Sequence, residues 1–218
     1  MRLRFNPRRY AIETFVKSSA HATKPHARLL DAGAGPCPYK YLFIHAHYEA
    51  TDFIDPHGLL NFTCSLDKIP RKAGTYDVVL LTEVLEHVEY PQKVINEINR
   101  ILKKGGKLFL TTPQQYMLHQ KPYNFYYFTR YGLESLLKNA GFKSYSIRSM
   151  GGYFWTLGDL IKFNSVLTQY KRWFFIYYPL KLVEWPLTQL IIPFILFHLD
   201  WLDKQRDWTM GYTVEAIK

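Results

Sequence analysis

The chain has 218 residues, which is enough for one sizeable domain with its own hydrophobic core. Its formal net charge is +10 at pH 7, but the basic residues are spread thinly, without the Lys/Arg tract that marks a nucleic-acid groove. We therefore expect no nucleic-acid partner. The two isolated cysteines exclude a disulfide framework and a zinc knuckle, so we expect a cytoplasmic protein.

The first part of the chain alternates helices with buried strands. Apolar spacing predicts these elements in order: a helix over 10–19, a strand over 28–31, a helix over 39–46, a strand over 48–52, a weak strand over 61–64 and a strong strand over 76–81. The last of these is apolar at consecutive positions, as a strand buried on both faces should be. This order indicates an α/β fold.

The alternation continues to the end of the chain. Pro91 opens a helix over 92–104 with apolar residues at three-four spacing, and a strand over 107–111 follows two glycines. Thr129 caps a helix that runs to residue 139, and strands are predicted over 142–148 and 209–217. Since ordinary connections are much shorter, residues 150–208 are predicted to be an aromatic-rich helical insertion within a single 1–218 domain.

A glycine turn follows the first strand. In the run from Asp31 to Gly35, Gly33 permits a tight turn and Gly35 lets the backbone approach a ligand. Asp52 ends the next strand, where its carboxylate can accept both hydroxyls of a ribose. Pro36 follows Gly35 directly, so the third glycine of a dinucleotide fingerprint is missing. The pattern therefore favours a nucleoside without phosphates over a nicotinamide cofactor.

Six stretches carry a family resemblance, and in order they read LLDAGAG, YEATD, LDKIP, TYDVVLLTEVLEHV, INRILKKGGKLFLTTP and FTRYGLESLLKNAGF. Over 29–142 the chain resembles the class I methyltransferases of the ubiquinone and menaquinone biosynthesis type. The resemblance implies a Rossmann-like, doubly wound sheet of seven strands, in which the final strand, 209–217, returns antiparallel beside the sixth. It also implies S-adenosyl-L-methionine as the cofactor.

The resemblance assigns cofactor-binding residues. It places Asp31, Gly33 and Gly35 around the methionine part, Asp52 on the ribose and Phe53 against the adenine. The family usually has an acid that accepts from the adenine amino group, and Ser65 stands in its place, so cofactor affinity is in question. The predicted cofactor set is completed by Leu66 and Thr82.

After the fourth strand, Glu83 and His87 are spaced one helical turn apart, with Glu86 between them. Three interpretations stay open. The acids satisfy a helix N-terminus while the imidazole packs at the sheet edge; or His87, with Glu83 beside it, removes a proton from an acceptor hydroxyl; or the trio binds a divalent metal, as it resembles the set of small-RNA and quinone-precursor O-methyltransferases. The metal interpretation is the one we disfavour, and no metal is expected.

His119 lies in the loop HQKPYNFYYFT after the fifth strand. A similar histidine occurs in bacterial relatives associated with saccharide and envelope-lipid pathways, and in the family this loop overlies the sulfonium of the cofactor. We therefore predict that His119 places the acceptor. The alternative is a surface histidine in an aromatic-rich connection.

The segment 173–199 is long enough to cross a bilayer, but it contains Lys181 and Glu184 and a proline every seven residues. We therefore expect short broken helices instead of a spanning helix. A lid over the sheet or a homodimer surface is one interpretation, and peripheral contact with the inner membrane surface, or a groove for an isoprenoid tail, is the other.

The predicted function is S-adenosylmethionine-dependent methylation, directed to oxygen, of a small or lipid-linked acceptor such as a saccharide, a quinone precursor or an envelope metabolite. Two alternatives remain. One is a non-catalytic module that binds S-adenosylmethionine, and the weaker one is a nicotinamide-dependent oxidoreductase.

Overall fold

A seven-stranded sheet forms the centre of the fold in the computed structural model, which describes residues 6–163 and 174–218. The strands are β1 (Arg28–Ala32), β2 (His47–Asp52), β3 (Phe62–Thr63), β4 (Tyr76–Thr82), β5 (Leu102–Pro113), β6 (Ser144–Ser149) and β7 (Gly211–Ile217). Their spatial order is β3-β2-β1-β4-β5-β7-β6. The helices are α1 (Pro7–His21), α2 (Pro91–Ile101), α3 (Arg130–Asn139), α4 (Tyr153–Phe163), α5 (Phe174–Pro186) and α6 (Ile192–Leu199).

The topology confirms the predicted Rossmann-like sheet. β1 pairs in parallel with β2 and β4, β2 with β3, and β4 with β5. β7 pairs antiparallel with β5 and lies between β5 and β6, so the last strand returns beside the sixth, as the resemblance implied. The strand order reverses between β1 and β4, and open α/β sheets bind ligands beyond the carboxyl ends of the strands at such a point.

Amphipathic helices cover the sheet. On α2 the residues Val94, Ile95, Ile98 and Ile101 are buried, which is the face that the three-four spacing predicted. The helix α3 is capped as predicted, because the Thr129 hydroxyl accepts a hydrogen bond of 3.1 Å from the Gly132 amide.

Two predicted helices are shorter in the structure. The helix expected over 39–46 is only a 3-10 turn, Lys40–Phe43, because the His26 amide already bonds to the carbonyl of His45 and draws the chain into β2. The helix expected over 92–104 ends at Ile101, because Leu102 adopts an extended conformation and begins β5.

The chain divides into two compact units. Unit 1 comprises Met1–Ala11 and Ser149–Met210, and unit 2 comprises Ile12–Arg148 and Gly211–Lys218. Unit 2 contains the sheet strands from β1 to β5 and β7. The predicted insertion, 150–208, falls within unit 1, and its described part is helical.

The prediction of short broken helices in the insertion is wrong for its described part. Helix α5, a π-helical turn at Leu187–Ile191, and α6 follow one another without an interruption. Pro186 ends α5 where the wider π turn begins, and Pro193 occupies the first turn of α6, so the missing amides of both prolines fall at junctions. Trp173, the first residue of the predicted membrane-contact segment, lies outside the described residues.

Candidate cofactor and active site

The glycine turn joins the carboxyl end of β1 to the end of β2. Gly33 has a φ of +76° and its amide donates to the carbonyl of Thr51 at 2.8 Å. A Cβ atom at Gly33 would lie 2.4 Å from a methyl group of Val84, so only glycine fits here. Gly35 has a φ of +49°, and a Cβ there would meet open space.

The carboxyl group of Asp31 is buried beneath this turn. Its Oδ2 accepts a hydrogen bond of 2.5 Å from the Tyr48 hydroxyl, while its Oδ1 has no hydrogen-bond partner among the described residues. Burial raises the pKa of Asp31 to about 7; the Tyr48 hydrogen bond opposes this rise and the charge of Asp52 adds to it. A cationic group bound at Oδ1 would satisfy it, which fits the ammonium group of a bound methionine moiety.

Asp52 lies at the carboxyl end of β2, beside the turn. Its Oδ2 accepts from the Gly35 amide at 2.9 Å and its Oδ1 accepts from the Phe53 amide at 2.6 Å. Each carboxylate oxygen has two lone pairs, so one remains on each oxygen for ribose hydroxyls. The carboxylate is thus held in place by backbone amides and can still bind a diol.

A cavity of about 480 Å³ opens next to Asp52. It is lined by Asp52, Phe53, Cys64, Ser65, Leu66, Asp67, Val84, His87, Val88, Glu89, Tyr90, Val94, Tyr123 and Phe125. Four predicted cofactor residues and His87 therefore share one cavity, and its walls combine aromatic side chains with a few polar groups, as ligand pockets do. None of the other predicted residues lines it; these are Asp31, Gly33, Gly35, Thr82, Glu83 and His119.

The cavity wall around Ser65 contains an acid that the sequence analysis did not single out. The Ser65 hydroxyl donates a hydrogen bond of 2.6 Å to Oδ1 of Asp67, and both residues line the cavity. The carboxylate two residues further along the chain can therefore take the acceptor role that Ser65 lacks the charge to fill. Asp67 is the acid of the stretch LDKIP, but the family pattern places its acid before the leucine, at the position of Ser65.

His87 lies in a 3-10 turn, Leu85–His87, and its ring has a fixed tautomer. Its Nδ1 lies 2.5 Å from the carbonyl oxygen of Tyr123, and because a carbonyl can only accept, Nδ1 carries the proton. In the neutral ring Nε2 then has the free lone pair. Burial lowers the pKa of His87, the hydrogen bond to the Tyr123 carbonyl opposes this, and the electrostatic effect of the neighbouring His119 lowers the pKa further.

His119 lies against His87. The two rings are edge to face with their centroids 4.7 Å apart, and Nδ1 of His119 donates to the Met117 carbonyl at 3.1 Å. The structure therefore brings together the two histidines that the sequence treated as separate candidates.

The predicted helical relationship between Glu83 and His87 is wrong. Glu83 has a φ of +52° and its amide donates to the Thr111 carbonyl at 3.0 Å, so β4 ends in a kink instead of a helix. The buried Glu86 takes the place beside His87, with Oε1 3.8 Å from Nε2. Glu86, His87 and His119 offer ligand atoms that all lie within 4.8 Å of one another, a set that can hold a metal ion.

Comparison with known proteins gives the same assignment as this geometry. A family model described as a methyltransferase domain matches residues 4–147, about two thirds of the chain. The ubiquinone biosynthesis O-methyltransferase of Nitrosococcus oceani is 33% identical over 91 residues, which cover 41% of this chain and 36% of that protein. An uncharacterised protein of Methanocaldococcus jannaschii is 29% identical over 106 residues, 45% of this chain and 52% of the relative. The chain thus spans about a third to a half of the length of these relatives.

Solved structures share the fold. A SAM-dependent methyltransferase from Archaeoglobus fulgidus superposes with a TM-score of 0.61 at 15% identity and covers 96% of this chain and 94% of that one. Phosphoethanolamine N-methyltransferase 2 of Haemonchus contortus, in complex with phosphomonomethylethanolamine and S-adenosylhomocysteine, gives a TM-score of 0.57 at 15% identity and covers 96% of this chain and 57% of that one. With its sheet order, its glycine turn and the matched family model, the chain belongs to the methyltransferase domain family of class I, whose cofactor is S-adenosylmethionine.

Proposed function

We propose that the protein methylates a hydroxyl group of a small or lipid-linked acceptor, such as a saccharide, a quinone precursor or an envelope metabolite. The observation that carries this proposal is the fixed tautomer of His87, whose Nε2 lone pair is available next to the cavity. Hydroxyl groups of high pKa need a base, whereas alignment alone is enough for better nucleophiles.

The residues around the cavity divide the work of binding the cofactor. Asp31 holds the methionine ammonium, Gly33 and Gly35 let the backbone approach it, and Asp52 accepts from the ribose. Phe53, Ser65, Leu66 and Asp67 bind the adenine side, with Thr82 at the end of β4 supporting the turn. When bound, S-adenosylmethionine supplies a methyl group from a sulfonium that is already a good leaving group.

His87 takes the proton of the acceptor at Nε2. The Tyr123 carbonyl keeps Nδ1 protonated, and the Glu86 carboxylate 3.8 Å from Nε2 favours the imidazolium that forms. Because the pKa of His87 is lowered, the ring is neutral and ready to accept a proton at physiological pH. His119 packs on the His87 ring and places the acceptor; we assign no proton step to Glu83.

A non-catalytic module with the same fold is the second candidate. Two observations favour it, because they would weaken the cofactor site: both carboxylate oxygens of Asp52 already accept from backbone amides, and the Ser65 hydroxyl is engaged by Asp67. Such a module binds S-adenosylhomocysteine but leaves no methylated product. A nicotinamide-dependent oxidoreductase would instead prefer NAD.

The test has two steps. Isothermal calorimetry with S-adenosylhomocysteine and with NAD on the purified chain should give binding of the first only. Mass spectrometry of lipid and glycan extracts from a deletion strain should then reveal a species lighter by one methylene, restored by the wild-type gene. Cofactor binding without any such species would support the non-catalytic module, and a preference for NAD would overturn the proposal.

We place the protein on the cytoplasmic side of a membrane, as a peripheral protein that meets its lipid-linked acceptor there. The apolar helical part of unit 1 supports this location. A homodimer through the same segment is the competing arrangement.

A further inference from the structure

The helical segment Tyr177–Leu202 of unit 1 is long and apolar enough to cross a membrane, yet very little of it is covered by protein. Among its described side chains only Tyr177, Pro193 and Asp200 are buried. Soluble proteins seldom leave so much contiguous apolar surface exposed. We therefore expect a lipid bilayer or another molecule to cover this segment.

The exposed apolar side chains of α5 cover more than half of its circumference. Tyr178, Leu180, Leu182, Val183 and Trp185 are all exposed, Leu182 to 80%. With a rotation of about 100° per residue, these five positions span an arc of roughly 220°, and the remaining arc carries the buried Tyr177 and the half-buried Lys181 and Glu184. An apolar arc this wide exceeds the stripe of about 100° that a helix buries against a single partner, and it is typical of a helix that lies in a membrane interface.

One side of α6 is held by α4 within unit 1. The Trp155 ring stacks on Phe197 at 4.5 Å, and its Nε1 donates to the Phe197 carbonyl at 3.1 Å. Gly158 of α4 allows a close approach, since a Cβ there would lie 3.4 Å from Cα of Pro193. Phe194 and Ile195 remain exposed on α6. The segment is thus anchored in unit 1 while it presents apolar side chains outward.

Charges within α5 are compensated, and an aromatic and a basic residue lie together at the far end of the segment. Lys181 and Glu184 form an ion pair of 2.5 Å, so α5 carries no net charge. At the far end Trp201 is exposed, and Nζ of Lys204 lies 5.6 Å from its ring centroid. Aromatic and basic residues together favour the headgroup region, and the net charge of +10 favours anionic lipid.

We propose that α5 and α6 embed in the surface of a bilayer that contains anionic lipid. A second copy of the chain would cover only part of this wide arc, whereas acyl chains cover all of it, and the net charge of +10 suits anionic headgroups. This surface concentrates the enzyme where a lipid-linked acceptor is found. The inference does not depend on methyl transfer.

Flotation with vesicles of phosphatidylcholine and phosphatidylglycerol tests this surface. The full-length wild-type chain should float with the vesicles, and L182N/I195N should reduce the bound fraction at least about tenfold. The matched control is Y41N/I44N, which makes the same changes at two exposed apolar residues of unit 2 and should float like the wild type. Fluorescence of Trp185 and Trp201 should be quenched by brominated acyl chains.

The proposal would be overturned if the wild-type chain stayed at the bottom of the gradient, or if L182N/I195N floated as well as the wild type. It would also be overturned if sedimentation velocity showed a stable dimer that does not bind vesicles. The last result would assign α5 to a second copy. Calorimetry with S-adenosylhomocysteine on the same samples keeps this test separate from methylation. Unchanged cofactor binding in L182N/I195N shows that the variant is folded and that the two proposals fail independently.

Discussion

The Tyr48 hydroxyl donates its hydrogen to one oxygen of the buried Asp31 carboxyl, and the other oxygen has no hydrogen-bond partner among the described residues. This pair joins β2 to β1 directly beneath the glycine turn. The pKa of Tyr48 is raised far above its ordinary value, by burial first and by the Asp31 charge second, so the phenol always donates. Asp31 is therefore prepared to receive a cation on its other oxygen.

Cofactor affinity should depend on pH through Asp31. Its pKa of about 7 means that roughly a tenth of the carboxyls are ionised at pH 6 and nine tenths at pH 8. Since the ionised form attracts the ammonium of S-adenosylhomocysteine, affinity should rise about five- to tenfold between these values. Calorimetry across this range measures it, and Asp31→Asn should bind weakly with a flat profile. An equally steep profile in Asp31→Asn would assign the titration to another group.

The same pKa makes a prediction for stability. Because the folded pKa of Asp31 is raised above the ordinary value of 3.8 for an aspartic acid, its contribution to the free energy of unfolding is fully present below about pH 4 and is lost as pH rises through 7. The difference between wild type and Asp31→Asn, measured by urea unfolding without ligand, should therefore change in favour of Asp31→Asn from pH 5 to pH 8. A difference that is constant with pH would contradict the raised pKa.

Tyr48→Phe removes the hydroxyl that lowers the pKa of Asp31. The variant should lose about 1 to 3 kcal/mol of unfolding free energy, the cost of leaving a buried acceptor unsatisfied. The midpoint of the pH profile for S-adenosylhomocysteine should also move upward. Tyr41→Phe, at an exposed tyrosine on the nearby 3-10 turn, is the control and should match wild type in both measurements.

Gly33 and Gly35 form a matched pair, because both have positive φ but differ in the space around them. Gly33→Ala should strongly lower the free energy of unfolding, since its Cβ meets Val84 at 2.4 Å, while Gly35→Ala should cost much less stability. Both variants should weaken cofactor binding, because both glycines let the backbone approach the ligand. Adding Val84→Ala to Gly33→Ala should restore part of the stability by removing the clash. Thermal unfolding and calorimetry check this series; equal losses at the two glycines would mean that φ, not space, is limiting.

Asp52→Ala should weaken S-adenosylhomocysteine binding by about 1.5 to 3 kcal/mol, the loss expected for charge-assisted hydrogen bonds to ribose. Asp67→Asn should weaken it less and mainly change the preference for adenine over other bases, since only the charge next to Ser65 is lost. Unchanged affinity in Asp52→Ala would place the ribose contact elsewhere.

Once an acceptor is identified, His87→Ala should lower kcat about a hundredfold or more while cofactor affinity is kept, the size typical of losing a general base. His119→Ala should mainly raise the acceptor KM. Wild-type kcat in His87→Ala would leave alignment alone as the mechanism.

A chelator separates proton transfer from metal ligation at the same residues. If His87 acts as a base, EDTA followed by dialysis should leave kcat unchanged, and manganese should not restore His87→Ala. Activity that disappears with EDTA and returns with Mg²⁺ or Mn²⁺ would instead assign Glu86, His87 and His119 to a metal ion.

The centre of the sheet was predictable from local sequence, because β4 and β5 contain continuous apolar runs, and the antiparallel β7 followed from the family resemblance. The turn that holds Asp52 was visible for the same reason, since its glycines and acids lie in consecutive motifs. Contacts between residues of different loops could not be predicted from local sequence. The bond from His87 to Tyr123 links residues 36 positions apart, and the kink at Glu83 depends on a bond to Thr111 that no local spacing encodes.

The position of β7 has a consequence for how such a chain changes over time. The Lys143 amide bonds to the Ile217 carbonyl and the Thr213 hydroxyl reaches the Arg148 carbonyl, so β6 and β7 are neighbours, and the chain leaves the sheet at Ser149 and returns at Gly211 on the adjacent strand. A tight hairpin of a few residues can connect two such strands, so sheet closure does not require the long excursion between them. We therefore expect that the insertion between residues 150 and 210 can be lengthened, shortened or replaced by another membrane-binding or acceptor-binding module during evolution. The sheet and the cofactor site of unit 2 would keep their geometry.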